Sequence, residues 1–143
     1  MRFSTKTEYG LKVLIELALL EPGQSLPAGE IAVREGIPQR FLEQQVTALR
    51  KAGLVASRRG AGGGSSLARP AEEITVAEAV EALEGSLVQV PEATDRSAST
   101  QVIRGVWREV AGEVGRVLSE TTIAALAERK KRLDEAREPM FYI

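Results

Sequence analysis

The chain has 143 residues, 43% hydrophobic and 27% charged, an ordinary make-up for one soluble domain or a small domain with an appendage. It contains no cysteine and no histidine, which excludes disulfide frameworks, zinc fingers, cysteine-ligated iron–sulfur clusters and histidine-activated nucleophiles. The net charge of −1 is divided unevenly: residues 1–70 carry 10 Lys and Arg against 6 Glu (+4), and residues 71–143 carry 9 against 14 Asp and Glu (−5).

Taken in chain order, Thr5 and Glu8 fit a capping box that starts a helix with Leu11, Leu14, Ile15, Ala18 and Leu19 at helical spacing. Glu21-Pro22-Gly23 ends it. Pro27 opens a short second helix through Ile31 and Ala32, which Gly36 closes. Pro38 opens a third, with Phe41, Leu42, Val46 and Leu49 inward and Gly53 as a left-handed cap. The period then changes. Residues 54–58 and 65–69 read as two strands joined by the glycine-rich reversal 60–64, and Pro70 stops the second. A short link between the second and third helices favours the angled packing of a helix-turn-helix, and the hairpin that follows makes it winged.

Thr75 and Glu78 form a second capping box, before a helix with Val76, Ala79, Val80 and Leu83 inward. Residues 85–100 are mostly polar, broken by Pro91, and read as a loop. A longer helix follows, with Ile103, Val106, Trp107, Val110, Val114, Val117 and Leu118 on one stripe. This stripe serves either as a dimer interface or as packing on its own domain. Thr121 and Thr122 start a short helix through Ile123 and Leu126. A charged run over 128–138 leads to Pro139 and the apolar end Met140-Phe141-Tyr142-Ile143. The expected fold is therefore mainly α with a small β-hairpin. Residues 1–85 form a winged helix-turn-helix, and residues 86–143 hold the loop, the long dimerisation helix, the short helix and the tail.

The third helix is the candidate reader of nucleic acid. With its apolar side inward, Gln39, Arg40, Glu43, Gln44 and Thr47 face outward, and these residue types match base edges. The basic front half supplies a local field for phosphates, with Lys6, Tyr9, Arg50 and the backbone near Gly63 as positioning contacts. Arg58 and Arg59 flank the hairpin tip, and a wing arginine enters a narrow minor groove favourably. The glycine run is not a nucleotide loop, because no Lys-Ser or Lys-Thr pair follows it. No acidic pair or lysine stands isolated among apolar residues, so an enzyme is not expected. No apolar run approaches the roughly 20 residues of a membrane span, and the Met1-Arg2-Phe3-Ser4 start lacks a signal peptide's apolar stretch. A cytoplasmic protein is expected.

Several motifs carry a resemblance. The start Met1-Arg2-Phe3-Ser4-Thr5-Lys6-Thr7-Glu8-Tyr9-Gly10, then Phe41-Leu42-Glu43-Gln44-Gln45, Leu49-Arg50-Lys51-Ala52-Gly53-Leu54-Val55, Arg59-Gly60-Ala61-Gly62-Gly63-Gly64 and Leu67-Ala68-Arg69 resemble the Rrf family of bacterial winged-helix regulators. Within it, Ala82-Leu83-Glu84-Gly85, Trp107, Ser119-Glu120-Thr121-Thr122 and the ending Met140-Phe141-Tyr142-Ile143 look most like the cysteine-metabolism repressors. The resemblance implies a homodimeric repressor on operator DNA, with Ile103, Trp107, Val110, Val114 and Leu118 at the dimer seam. It further implies that Phe141, Tyr142 and Ile143 engage cysteine synthase, and that O-acetylserine, competing there, releases the repressor. Packing of the tail on the dimer's own surface is the alternative.

The chain departs from the family pattern in four places. Cluster-binding members of the family carry three cysteines before the Trp107 helix, whereas residues 91–100 here supply none. Arg104 stands where such members place a histidine, so no cofactor and no metal are expected. Ser65 follows the wing glycines in place of an aromatic, and Thr7 replaces a glycine. A regulator of other genes that senses a small molecule, and a protein-interaction module that no longer binds DNA, stay open as alternatives.

Overall fold

Six helices and one hairpin account for most of residues 2–137, the part of the chain that the computed structural model describes. Helix α1 (Thr5–Ala18) begins one residue earlier than the expected capping box. Ser4, in extended conformation, is the cap, and its hydroxyl accepts from the Thr7 backbone N–H at 3.1 Å. Thr5 is already helical, which leaves its side chain no free amide to cap. Helix α2 (Ala28–Glu35) follows Pro27, and α3 (Gln39–Lys51) follows Pro38 across the two-residue link Gly36-Ile37. Beyond α3, Gly53 holds a φ of 78°, the left-handed value that lets the chain turn sharply into β1 (Val55–Arg58). Strand β2 (Gly64–Leu67) pairs antiparallel with it, Val55 opposite Leu67 and Arg58 opposite Gly64. Together, α1–α3 and the hairpin form a winged helix-turn-helix.

A 3₁₀ turn (Ala71–Glu73) leads to α4 (Val76–Glu84), whose capping box between Thr75 and Glu78 is present as expected. Arg69 adds an ion pair of 2.6 Å to the same Glu78 carboxylate. That pair, with the Thr75 amide, holds the carboxyl below its ordinary range. Helix α5 (Ala98–Glu120) is capped by Ser97 and runs 23 residues. The core is continuous. Leu14, Ile31, Leu42, Leu49 and Ile74 are sealed within it, and the α4 residues Val76, Ala79, Val80 and Leu83 close one side. Where α1 crosses α4, Gly10 meets Leu83 so closely that a Cβ would run into its methyls.

Two further expectations need correction. The expected short helix after Thr122 is α6 (Ile123–Arg137), fifteen residues that take in most of the charged run. Its charges pair along the helix, Lys130 with Asp134 at 2.6 Å and Glu128 with Arg132 at 3.5 Å, and its residue types favour helix. Ile123 and Ala127 are buried, and α6 packs on α1, so packing crosses the boundary placed at residue 85. Backbone bonds reinforce this return: Val76 donates to Thr121 at 2.8 Å and Ile123 donates to Ile74 at 2.9 Å. The second correction is Phe41. The buried stripe of α3 is Leu42, Gln45, Val46 and Leu49, spaced i, i+3, i+4, i+7, and Phe41 lies off it at 39% exposure.

Candidate nucleic-acid interface

Helix α3 presents its polar face because its apolar residues are spent on the core. Gln39, Arg40, Glu43, Gln44, Thr47 and Arg50 are all exposed. Two of them are already bonded to each other: the Gln39 amide donates to the Glu43 carboxylate at 3.0 Å. This pair presents one composite edge, with the Gln39 carbonyl oxygen and the second Glu43 oxygen left to accept. Arg40 folds over the exposed Phe41, its guanidinium 4.6 Å from the ring centroid. A stacked guanidinium keeps its N–H edge free for a base while its face is held.

The wing is fastened from an unexpected side. Leu26, in the loop between α1 and α2, bridges Ser65 of β2 with reciprocal backbone bonds of 2.9 Å. Ser25 donates to the Gly62 carbonyl at 2.7 Å, and Arg58 donates to the Gly23 carbonyl at 2.7 Å. Gly64 must be glycine, since its φ is 149° and any Cβ would strike the Leu26 backbone. These ties hold the hairpin beside α3. Gln39, Glu43, Thr47 and Arg50 then line one groove with Arg58, Gly63 and Gly64.

Not every predicted residue converges there. Lys6 is exposed on α1, and Tyr9 is half-buried against the core. Arg59 is exposed beyond the end of β1, outside the groove. Arg58 spends one N–H on Gly23. The wing-anchoring role of residues 23–26 escapes sequence reading because its partners are backbone carbonyls and amides, which leave no trace in residue type.

The back of the molecule carries the other candidate surface. On α5, Ile103, Val106, Trp107 and Val110 are about half exposed, with Trp107 at 48%. Val114 and Leu118 instead face α4 and line a cleft with Val80 and Glu81 of the same chain. Phe141, Tyr142 and Ile143 lie outside the described residues. No helix among the described residues is long and apolar enough to cross a membrane.

With this geometry, the comparisons with known proteins agree. The Rrf2 family, described as iron-dependent transcriptional regulators, matches residues 3–129. The chain belongs to the Rrf2 family. It is 36% identical to the HTH-type transcriptional regulator CymR of Bacillus subtilis over 143 residues, all of both chains. The solved structure of that CymR, described as the global cysteine regulator of B. subtilis, superposes with a TM-score of 0.82. The identity there is 35%, with 90% of this chain and 98% of that one covered. The structure of T. potens IscR matches at a TM-score of 0.73 and 36% identity, covering 97% of this chain and 90% of that one. The chain is thus a CymR-like transcriptional regulator. Its relatives are regulators, which bears out the expectation that it is not an enzyme.

The family's description names iron, which needs matching donors. In the segment before Trp107, the Asp95 carboxylate accepts from the Ser97 amide at 2.7 Å and the Thr100 hydroxyl at 2.8 Å. Ser97 and Thr100 hold that carboxyl below its usual range. Arg104 donates to the Pro91 carbonyl. No thiolate or imidazole exists anywhere in the sequence, and the described residues bring no three Asp or Glu together. This donor set does not fit an iron–sulfur cluster.

Proposed function

We propose that the protein is a homodimeric, sequence-specific DNA-binding repressor that works without an iron–sulfur cluster. The observation that carries this reading is the groove shared by α3 and the wing, polar along its length and fixed at both edges. Gln39, Arg40, Glu43 and Gln44 face bases in the major groove. Lys6, Tyr9, Arg50 and the backbone at Gly63 position the duplex through phosphates, and Arg59 and Arg58 serve the wing. Two such heads on one dimer address half-sites roughly 34 Å apart, or a longer spacing set by α5. A repressor acts where the chromosome is, so its place is the cytoplasm.

The test is a binding titration on mixed-sequence duplex across a salt series, followed by selection of the operator. Phosphate contacts give a steep fall with salt, and a protein without DNA affinity gives nothing to titrate. On the selected operator, Arg40→Ala is expected to cost about 1–3 kcal/mol and to relax preference at one base position. Arg59→Ala is expected to weaken binding with little change in base preference. Intact specific binding by Arg40→Ala would refute the assignment of the reading face.

The regulated genes are those of cysteine or sulfur metabolism. Support comes from the full-length likeness to CymR and from the ending Met140-Phe141-Tyr142-Ile143, which resembles that of the cysteine-metabolism repressors. By that likeness Phe141, Tyr142 and Ile143 engage cysteine synthase, and O-acetylserine displaces them. Deleting Ile143 is expected to abolish capture of cysteine synthase, read by calorimetric titration of both versions. Equal affinity would leave the tail as packing and remove the sulfur assignment's main support.

A further inference from the structure

The cleft where Val114 and Leu118 of α5 face α4 takes no part in the DNA-binding reading. Its volume is about 260 Å³, room for a small molecule rather than a drug-sized one. Val80 of α4, Leu87 of the following loop, and Val114 and Leu118 give it apolar walls. Gly115 keeps it open, because a Cβ built there meets nothing within 4 Å. Glu81 supplies the one charged side chain of the lining. Ser86, the one hydroxyl of the lining, already donates to the Val88 carbonyl at 2.8 Å.

Glu84 ends α4 on the same helical face, spaced seven, four and three residues from Ala77, Val80 and Glu81 of the cleft wall. One of its carboxylate oxygens is buried with no hydrogen-bond partner, the only such side-chain atom among the described residues. A buried acceptor without a partner is costly. Its place in the last turn of α4 adds to this, since the negative end of a helix dipole disfavours an anion and welcomes a cation. Cations on the flanking elements are committed elsewhere. Arg69 pairs with Glu78 at 2.6 Å, and Arg116 pairs with Glu113 and Glu120 at 3.0 Å each. Among the described residues neither Glu81 nor Glu84 makes an ion pair.

We propose that this cleft is a binding site for a small aliphatic amine, whose ammonium is taken by Glu84 and Glu81 and whose hydrocarbon lies on Val80, Val114 and Leu118. A ligand bearing a carboxylate is repelled by the two glutamates, and a neutral alcohol leaves Glu84 without a counter-charge. The cleft is lined by Ala111 and Gly115 of α5 and not by its exposed stripe, so the site is separate from the proposed dimer seam.

Calorimetric titration of the full chain with hexylamine, at about pH 7, tests the site without reference to DNA. Saturable binding is expected, with 1-hexanol and hexanoate weaker by roughly tenfold or more, the worth of a charge-assisted contact. Glu84→Gln is expected to weaken hexylamine binding by roughly tenfold, and its thermal midpoint is not expected to fall, since the lost charge had no partner. Gly115→Leu fills the cleft and leaves every charge in place. It is expected to abolish binding while its thermal midpoint stays at or above wild type, leucine being the better helix former. Hexylamine binding that survives Gly115→Leu would mean that the amine only collects on an acidic surface, and would overturn the site. Equal binding of 1-hexanol, or no saturable binding of hexylamine, would overturn it as well.

Discussion

Val110→Glu is expected to convert the proposed dimer to a monomer in analytical ultracentrifugation and to lower operator affinity by roughly 10²–10⁴-fold, the gain that a second linked site supplies. Ile103, Val106, Trp107 and Val110 recur at i, i+3, i+4 and i+7, and each is 45–53% exposed in the single chain. A contiguous apolar stripe of this kind on a soluble protein marks an interaction surface. Val114 and Leu118, one and two turns further on, face α4 of their own chain, so the contiguous free run is Ile103 to Val110, with Val117 exposed further along. A carboxylate at Val110 would be desolvated without a partner in a two-fold seam, and in duplicate. The substitution sits on an exposed face, so the monomer's own fold is expected to change little. A Val110→Glu protein that still sediments as a dimer would move the interface away from α5.

Elements marked by backbone chemistry are legible in the sequence. Pro27 and Pro38 forecast two helix starts, Gly53 forecasts the left-handed exit from α3, and the Thr75–Glu78 box forecasts α4, because each residue type restricts φ or supplies a cap. Phe41 misleads for a different reason. Hydrophobicity alone puts it inward, but the stripe of α3 includes Gln45 and leaves Phe41 at its margin under Arg40. The buried Glu16 is a related case. Its position between Val13 and Leu17 on the helical period is visible in the sequence, yet only the folded chain brings Arg34 and Lys130 to it. The groove between α3 and the wing is half legible. Its α3 side follows from helical geometry, whereas the loop 23–26 anchors the wing through main-chain groups and one serine hydroxyl.

The helix that sequence reading shortened carries the second large effect. Ile123→Ala is expected to destabilise the whole fold by about 2–5 kcal/mol, through lost burial and the cavity left behind. Ile123 is fully buried, belongs to the same core as Leu14 and Ile74, and its amide is bonded to the Ile74 carbonyl at 2.9 Å. The charged residues after it disguise this role. The run from Glu128 has the look of a solvated appendage, and α6 buries only Ile123 and Ala127 fully. Those two, one turn apart, are enough to pack the helix along α1, and Lys130 reaches Glu16 one turn later. Leu133 is the internal control. It is 59% exposed on the same helix, and Leu133→Ala is expected to stay within about 0.5 kcal/mol of wild type. Urea unfolding followed by far-ultraviolet circular dichroism reads both, with the midpoint falling for Ile123→Ala and the slope unchanged. A small effect from Ile123→Ala, or a separate early transition confined to α6, would mean that the helix is an appendage after all and that the core ends with α4.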